Sequence, residues 1–259
     1  FPGTNSLYGQ GITTFGDFQI GESTIDPAAT TGDYRSSTNG ARGNWEDISS
    51  WQRYSGIAWV GASSVPSSAD GAITILGTDS IFINANVSID QATVQNGGYL
   101  EVRSGTVTIN NGTGTDLTLN SPNAMVWGTG PQLIVNSGAL IDGSTANIFY
   151  RGTVLVNNGT ININTFDMSP DPGAQTINGV GTISTLRIRN SAGVTLGGDQ
   201  TITSLLNFNF GKINTGGNKL ITGSGAGIVG NTPSNYIIGN LQRFISVPGN
   251  MDYPVGDNS

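Results

Sequence analysis

The chain of 259 residues contains no cysteine and no histidine, which excludes disulfides, thiolate metal sites and every catalytic triad that depends on histidine. Only 10% of the residues are charged and 39 are glycine, a composition typical of many strands joined by tight turns. The net charge of −7 argues against nucleic acid and anionic membranes as partners. No run approaches the roughly 18 apolar residues of a transmembrane helix, so we expect no membrane insertion.

Residues 1–22 contain one clear predicted strand, at 12–20, where β-branched and aromatic residues lie between glycines. The chain starts at Phe1 and shows neither the basic nor the apolar region of a secretory signal peptide. We therefore expect it to be a processed or excerpted part of a longer protein.

Residues 23–71 are rich in tryptophan and hold most of the local charge. Two interpretations of the aromatic side chains stay open. They either cover the first coil of a repeated fold or form a flat platform that stacks on sugar rings. We favour the cover, because a solenoid needs capped ends. The aromatic residues concerned are Trp45, Trp51, Tyr54 and Trp59.

Residues 72–230 repeat short β-branched runs that end in Asn-Gly, Ser-Gly or Gly-Gly, and no helical stripe interrupts them. Segment 106–113 is echoed by segment 153–160, and such marker turns recur about every twenty residues. The pattern predicts an all-β fold, a right-handed parallel β-helix (solenoid) with flanking β-strands, of about seven or eight coils. A β-sandwich is the alternative.

The repeated runs also predict which aliphatic side chains point into the solenoid. The expected inward positions are Ile73, Ile75, Ile81, Ile83, Val107, Ile109, Leu117, Leu119, Val154 and Val156. Asparagines in the turns are expected to stack into hydrogen-bonded ladders.

Residues 231–259 change again to a mixed segment that contains proline, with a strand-like run at 236–246. Unpaired strands at the ends of a solenoid invite pairing with another chain. We therefore expect runs 12–20 and 236–246 to pair end to end with neighbouring modules or subunits. The alternative is that both fold back on their own solenoid.

Several segments together resemble a known type of module. They are Gly-Asp-Tyr-Arg-Ser at 32–36, Gly-Asn-Trp-Glu-Asp-Ile-Ser-Ser-Trp-Gln at 43–52, Ala-Trp-Val at 58–60, Val-Pro at 65–66 and Asp-Gly-Ala-Ile-Thr-Ile at 70–75. This order resembles the large multi-module surface proteins that Bacteroidota export by type IX secretion. There, a tryptophan-rich entry segment leads into a Gly/Asn-rich β-helix.

The resemblance implies a division of the chain and an extracellular location. Residues 1–22 would be the closing strand of a preceding module and 23–71 the entry segment. Residues 72–230 would be the β-helix and 231–259 the start of a following β-module. The triplet Asp79-Ser80-Ile81 also resembles the short O-glycosylation acceptors of these bacteria, which makes Ser80 a candidate glycosylation site.

Paired carboxylates are the one enzymatic mechanism that the composition leaves open, because inverting glycosidases need two acids about 6.5–9.5 Å apart. The candidate acids are Asp116, Asp142, Asp167 and Asp171. Only Arg187 and Arg189 are close enough among the basic residues to share a strand face, too few for a polysaccharide lyase. We expect no catalytic residues, and no motif predicts a metal or a cofactor.

The sequence therefore predicts a structural or adhesive segment of an extracellular surface or fibre protein. Two alternatives remain: a glycan-binding module that uses the tryptophan-rich segment, and a polysaccharide-degrading β-helix enzyme. The expected partners are neighbouring modules or subunits, with surface glycans as a further candidate.

Overall fold

The computed structural model describes residue 26 and residues 28–169, 173–244 and 252–257. The chain is a β-solenoid of about nine turns with parallel stacked strands, as the repeated runs predicted. The described residues contain no α-helix, and their one short 3-10 turn is Ile48–Ser50. The predicted strand at 12–20 lies outside the described residues.

The described part of the chain contains 24 strands. In chain order they are β1 (Tyr34–Ser36), β2 (Arg42–Asn44), β3 (Trp51–Tyr54), β4 (Trp59–Gly61), β5 (Ile73–Ile75), β6 (Ser80–Ile83), β7 (Val87–Ile89), β8 (Ala92–Val94), β9 (Tyr99–Val102), β10 (Thr106–Ile109), β11 (Leu117–Leu119), β12 (Met125–Trp127), β13 (Gln132–Val135), β14 (Leu140–Tyr150), β15 (Val154–Asn157), β16 (Thr160–Met168), β17 (Gln175–Asn178), β18 (Gly181–Arg189), β19 (Val194–Leu196), β20 (Gln200–Phe210), β21 (Ile213–Thr222), β22 (Gly227–Val229), β23 (Ile237–Arg243) and β24 (Val255–Gly256).

Each regular coil runs over three faces, which we number in chain order. Face 1 follows a parallel ladder of aligned residues, one from each coil: Tyr34, Ile73, Ala92, Leu117, Ile141, Ile161, Ile183, Ile202, Thr222 and Arg243. Those from Ile73 to Thr222 give eight coils within 72–230, which confirms the predicted number. Face 2 runs from β2 through β6, β9 and β12 to β22, and face 3 from β7 through β10, β13 and β15 to β24.

The alternation of side chains along short strands places the core. In β10 and β11, for example, Val107, Ile109 and Leu117 are fully buried, while the threonines between them are half-buried on the outer side. Each such aliphatic side chain contributes about 1.5–3 kcal/mol by leaving water. Because every inward residue lies on the one before it, the coils share one continuous core.

Stacked polar side chains join the coils at the corners, as predicted for the turn asparagines. Asn136 Nδ2 donates to Asn110 Oδ1 at 2.8 Å, and Asn110 Nδ2 donates to Ser88 Oγ at 2.7 Å. Glycine is required where coils approach most closely. Gly97 has a φ of +89°, and a Cβ there would lie 2.5 Å from the carbonyl oxygen of Gly77.

Two of the predicted inward positions are wrong. Val154 and Val156 lie on the outer side of β15, and Leu155 and Asn157 point inward. The strands align Leu133 with Leu155, so the second copy of the repeated segment is shifted by one residue against the first. A shift of one residue exchanges the two faces of a strand, and this exchange buries Asn157. The other eight predicted inward residues are buried.

The solenoid is also longer than the expected segment 72–230. β1 pairs in parallel with β5 and β2 with β6, so the tryptophan-rich segment supplies the first coil. An antiparallel hairpin, β3–β4, then pairs with β1 and extends face 1 beyond that coil. At the other end, β23 pairs in parallel with β21, so Ile237–Arg243 of run 236–246 adds a strand to this solenoid.

Candidate functional site

Two candidate rings of the entry segment, those of Trp45 and Trp51, belong to the core at the N-terminal end of the solenoid. Trp45, Trp51 and Tyr54 are 2%, 1% and 2% exposed. The rings of Trp45 and Trp51 meet edge to face, with centroids 4.9 Å apart. Both indoles are hydrogen bonded: Trp45 Nε1 donates to the Pro66 carbonyl and Trp51 Nε1 to the Trp45 carbonyl, each at 2.9 Å. These rings cover the end of the core, and as buried rings they offer no face to a sugar.

Trp59 is the one candidate ring of the entry segment that is partly exposed. It borders a hollow of about 240 Å³ on face 1, which Asp26 and Gln95 also line. Its ring contacts Tyr54, with centroids 5.2 Å apart, and the guanidinium of Arg35 lies 4.5 Å from its centroid. A sugar that stacked on the face of the Trp59 ring beneath Arg35 would have to displace this guanidinium.

The three candidate acids that the structure describes lie at different places in the fold. Asp142 lies on the outer side of face 1, where it accepts a hydrogen bond from Asn162 Nδ2 at 2.6 Å. Asp116 is fully buried, and its carboxylate accepts hydrogen bonds from the backbone amides of Gly112 and Leu140 at 2.7 and 2.6 Å. Asp167 lies on face 2, and Asp171 is outside the described residues.

Parallel stacking instead brings Asp116 beside Asp90, which no sequence motif indicated. Burial raises the pKa of Asp90, and a hydrogen bond to Asp116 and the negative charge of Asp116 raise it further. One oxygen of Asp90, Oδ1, is buried without a hydrogen-bond partner among the described residues. Backbone amides donate to both oxygens of the fully buried Asp116, so this side chain holds a corner of the solenoid.

A compact charged cluster lies on face 2. The carboxylate of Asp167 is 0% exposed and contacts Arg187 Nη1 at 3.4 Å and Arg189 Nε at 3.3 Å. Arg189 Nη2 also donates to Ser169 Oγ at 3.0 Å. Burial raises the pKa of Asp167, although the two arginines act in the opposite direction. The sequence placed both arginines on one strand face, but their pairing with Asp167 depends on the alignment of β16 with β18.

The candidate glycosylation triplet is part of the frame of the second coil. Asp79 is 2% exposed and accepts hydrogen bonds from Ser36 Oγ at 2.6 Å and from the amide of Gly40 at 3.0 Å. Burial by itself raises the pKa of Asp79, but these hydrogen bonds outweigh it and lower the pKa overall. Ser80 is half-buried in β6. The Asp79 carboxylate is thus engaged in hydrogen bonds that stabilise the fold.

Within residues 28–169 and 173–244, and in the short described segments beside them, no three acidic side chains come together as a metal site. The same part of the chain has no helix that is long and apolar enough to span a membrane.

The two ends of the solenoid carry most of the exposed large apolar side chains of the described chain. Between them, only Val180 and Phe210 belong to this class. The N-terminal group is Ile48, Ile57 and Val60, and the C-terminal group is Val229, Phe244, Tyr253 and Val255.

Among the residues that the structure describes, the core ladder of face 3 ends at Val255 in β24. Ile213, Ile237 and Val255 are aligned in successive coils. The first two are fully buried, and Val255 is 44% exposed. At the opposite end, β4 pairs with β3 on one side only within the described residues. Both ends therefore combine a strand edge with exposed apolar side chains.

Comparison with family models, with curated proteins and with solved structures finds no match to this chain. The function of the chain is therefore inferred from its own structure.

Proposed function

We propose that this chain is a non-catalytic spacer of an extracellular surface or fibre protein, and that its ends dock onto further β-solenoid units. The observation that carries the proposal is the location of the exposed apolar side chains, seven of which belong to the first coil or the last strands. Such side chains beside open strand edges are typical of surfaces that pair with another β-structure.

The dimensions of the fold support the same role. Strands in a sheet are about 4.8 Å apart, so about nine turns give a rod roughly 40 Å long. Each coil contacts mainly its neighbours, which lets such units be extended by stacking. The continuous core and the hydrogen-bonded corners make the rod stiff. The candidate acids meet in no open groove of the described surface, which favours a structural role over polysaccharide hydrolysis.

The expected partner is a second β-solenoid unit. Another copy of this chain serves as that unit in the experiment, so self-association is what is measured. We expect the full chain to form larger assemblies as its concentration rises in size-exclusion chromatography with light scattering. Val60→Lys and Val255→Lys place a charge at the two ends and should shift the equilibrium to the monomer. Val180→Lys is the matched control, since Val180 is exposed in the middle of the solenoid.

Two results would contradict this function. One is a monomer at every concentration, and the other is equal weakening of assembly by Val180→Lys and by the end variants. The second result would mean that apolar exposure in general, and not the ends, causes association.

A further inference from the structure

We propose that the outer surface of face 2 around Arg187 and Arg189 binds the carboxylate or sulfate groups of an acidic polysaccharide. This inference goes beyond the spacer role and does not depend on it, because it concerns the side of the rod and not its ends.

Two positive charges lie close together on the outer side of face 2. Arg187 and Arg189 are two residues apart in β18, so their side chains leave the same side of the strand about 7 Å apart. Two guanidinium groups so close repel each other, and Asp167 supplies the only carboxylate that contacts them among the residues that the structure describes. These three described side chains together carry one net positive charge when Asp167 is ionised, on a chain whose net charge is −7.

The two guanidinium groups have more N–H donors than they use in the described structure. A guanidinium group has five N–H bonds. Within the described residues, Arg187 donates one hydrogen bond, to Asp167, and its buried Nε has no partner. Arg189 donates two, to Asp167 and to Ser169. The two side chains are 33% and 34% exposed, so remaining donors other than the buried Nε of Arg187 can reach a ligand.

Asp167 holds the two arginines of the cluster in place. Asp167 is fully buried and contacts both arginines from the preceding coil, so it fixes the guanidinium groups on a rigid sheet. A preorganised pair loses less entropy when it binds an oxyanion, and guanidinium geometry matches carboxylate and sulfate oxygens.

The neighbours of the cluster favour a sugar polymer over a small anion. Phe149, Asp167, Arg187 and Asn207 are aligned on four successive coils. The ring centroid of Phe149 is 5.7 Å from the Arg189 guanidinium. An aromatic ring, a carboxylate, a cation and an amide thus follow one line, and Arg189 adds a second cation two residues along β18. This arrangement suits successive units of a polymer that needs stacking, charge and hydrogen bonds.

The test measures retention of the full chain on immobilised polygalacturonate, dextran sulfate and neutral dextran. A strongly acidic protein is repelled by polyanions in general, so retention requires a local cationic site. We expect retention on one or both acidic polymers, weaker at high salt, and none on dextran. Retention on polygalacturonate alone assigns a carboxylate ligand, and on dextran sulfate alone a sulfate ligand.

Variants then locate the site. Arg187→Gln and Arg189→Gln should each weaken retention roughly tenfold, as loss of a charge-assisted hydrogen bond predicts. Arg103→Gln is the matched control, because it removes the same charge from an exposed arginine that pairs with Glu101. If Arg187→Gln does not fold, the double variant Asp167→Asn/Arg187→Gln removes the buried carboxylate together with its partner.

The proposal is overturned if the chain is not retained on either acidic polymer, or if it is retained equally on dextran. It is also overturned if Arg103→Gln weakens retention as much as the two cluster variants, since the effect then follows total charge.

Discussion

The side-chain amide of Asn157 donates a hydrogen bond from Nδ2 to Oε1 of Gln200 at 3.0 Å, inside the solenoid and across 43 residues of sequence. Both side chains are fully buried. The amide passes over Gly181, where a Cβ would lie 2.4 Å from Asn157 Nδ2. Gln200 Nε2 in turn donates to the Gly179 carbonyl at 2.7 Å, so one polar network ties successive coils at this corner.

Removing one partner of this network should destabilise the protein. We expect Gln200→Ala to lower the free energy of unfolding by about 1–3 kcal/mol, because the buried Asn157 amide loses the nearer of its two acceptors and keeps only the Thr182 carbonyl at 3.4 Å. Urea denaturation followed by circular dichroism measures the change. Gln242→Ala is the control at an exposed glutamine and should have little effect. Equal losses in the two variants would show that the buried network adds no stability.

The alignment of β15 can be tested with adjacent residues. Leu155 is fully buried and Val154 is only half-buried on the outer side of the strand. Leu155→Ala should therefore cost about 2–5 kcal/mol, the usual range for a buried leucine, and Val154→Ala clearly less. The same denaturation experiment compares them. A larger loss for Val154→Ala would support the alignment expected from the repeated segment.

The aromatic cover of the first coil gives a third prediction. Trp51 is 1% exposed and packs against Trp45, whereas Trp59 is partly exposed. We expect Trp51→Ala to lower the free energy of unfolding by about 3–5 kcal/mol, through lost burial and the cavity that remains. Trp59→Ala should cost less, as the matched tryptophan control. If Trp51→Ala leaves stability unchanged, the ring does not act as a cap.

Asp90 should make stability depend on pH. Burial and the adjacent Asp116 raise the pKa of Asp90, so the folded chain binds this proton more tightly than the unfolded chain. The resulting stability is present at low pH and is lost as the pH rises through the raised pKa of the folded state.

Asp90→Asn should therefore raise the melting temperature at neutral pH, because it removes a destabilising charge, and this gain should vanish in acid. Asp47→Asn, at an exposed aspartate, is the control. A gain that is the same at both pH values, or a loss at neutral pH, would argue against the raised pKa.

The sequence alone was sufficient for the fold class, the number of coils and most of the core. Short β-branched runs closed by glycine turns determine these features locally, because strand alternation and tight turns need only neighbouring residues. The same logic identified Ile73, Leu117 and their equivalents as inward residues. It also selected the aromatic residues of the entry segment and favoured their role as a cover.

Only the tertiary structure decided how one coil is aligned with the next. Local pattern cannot detect a shift of one residue, so the inward side of β15 was wrong and the buried Asn157 was unforeseen. Contacts across coils join residues that are about twenty or more positions apart, such as Asp90 with Asp116 and Asp167 with Arg187. Whether two such residues meet depends on the conformation of every turn between them. Their relative position is set only when the coils stack and their strands pair.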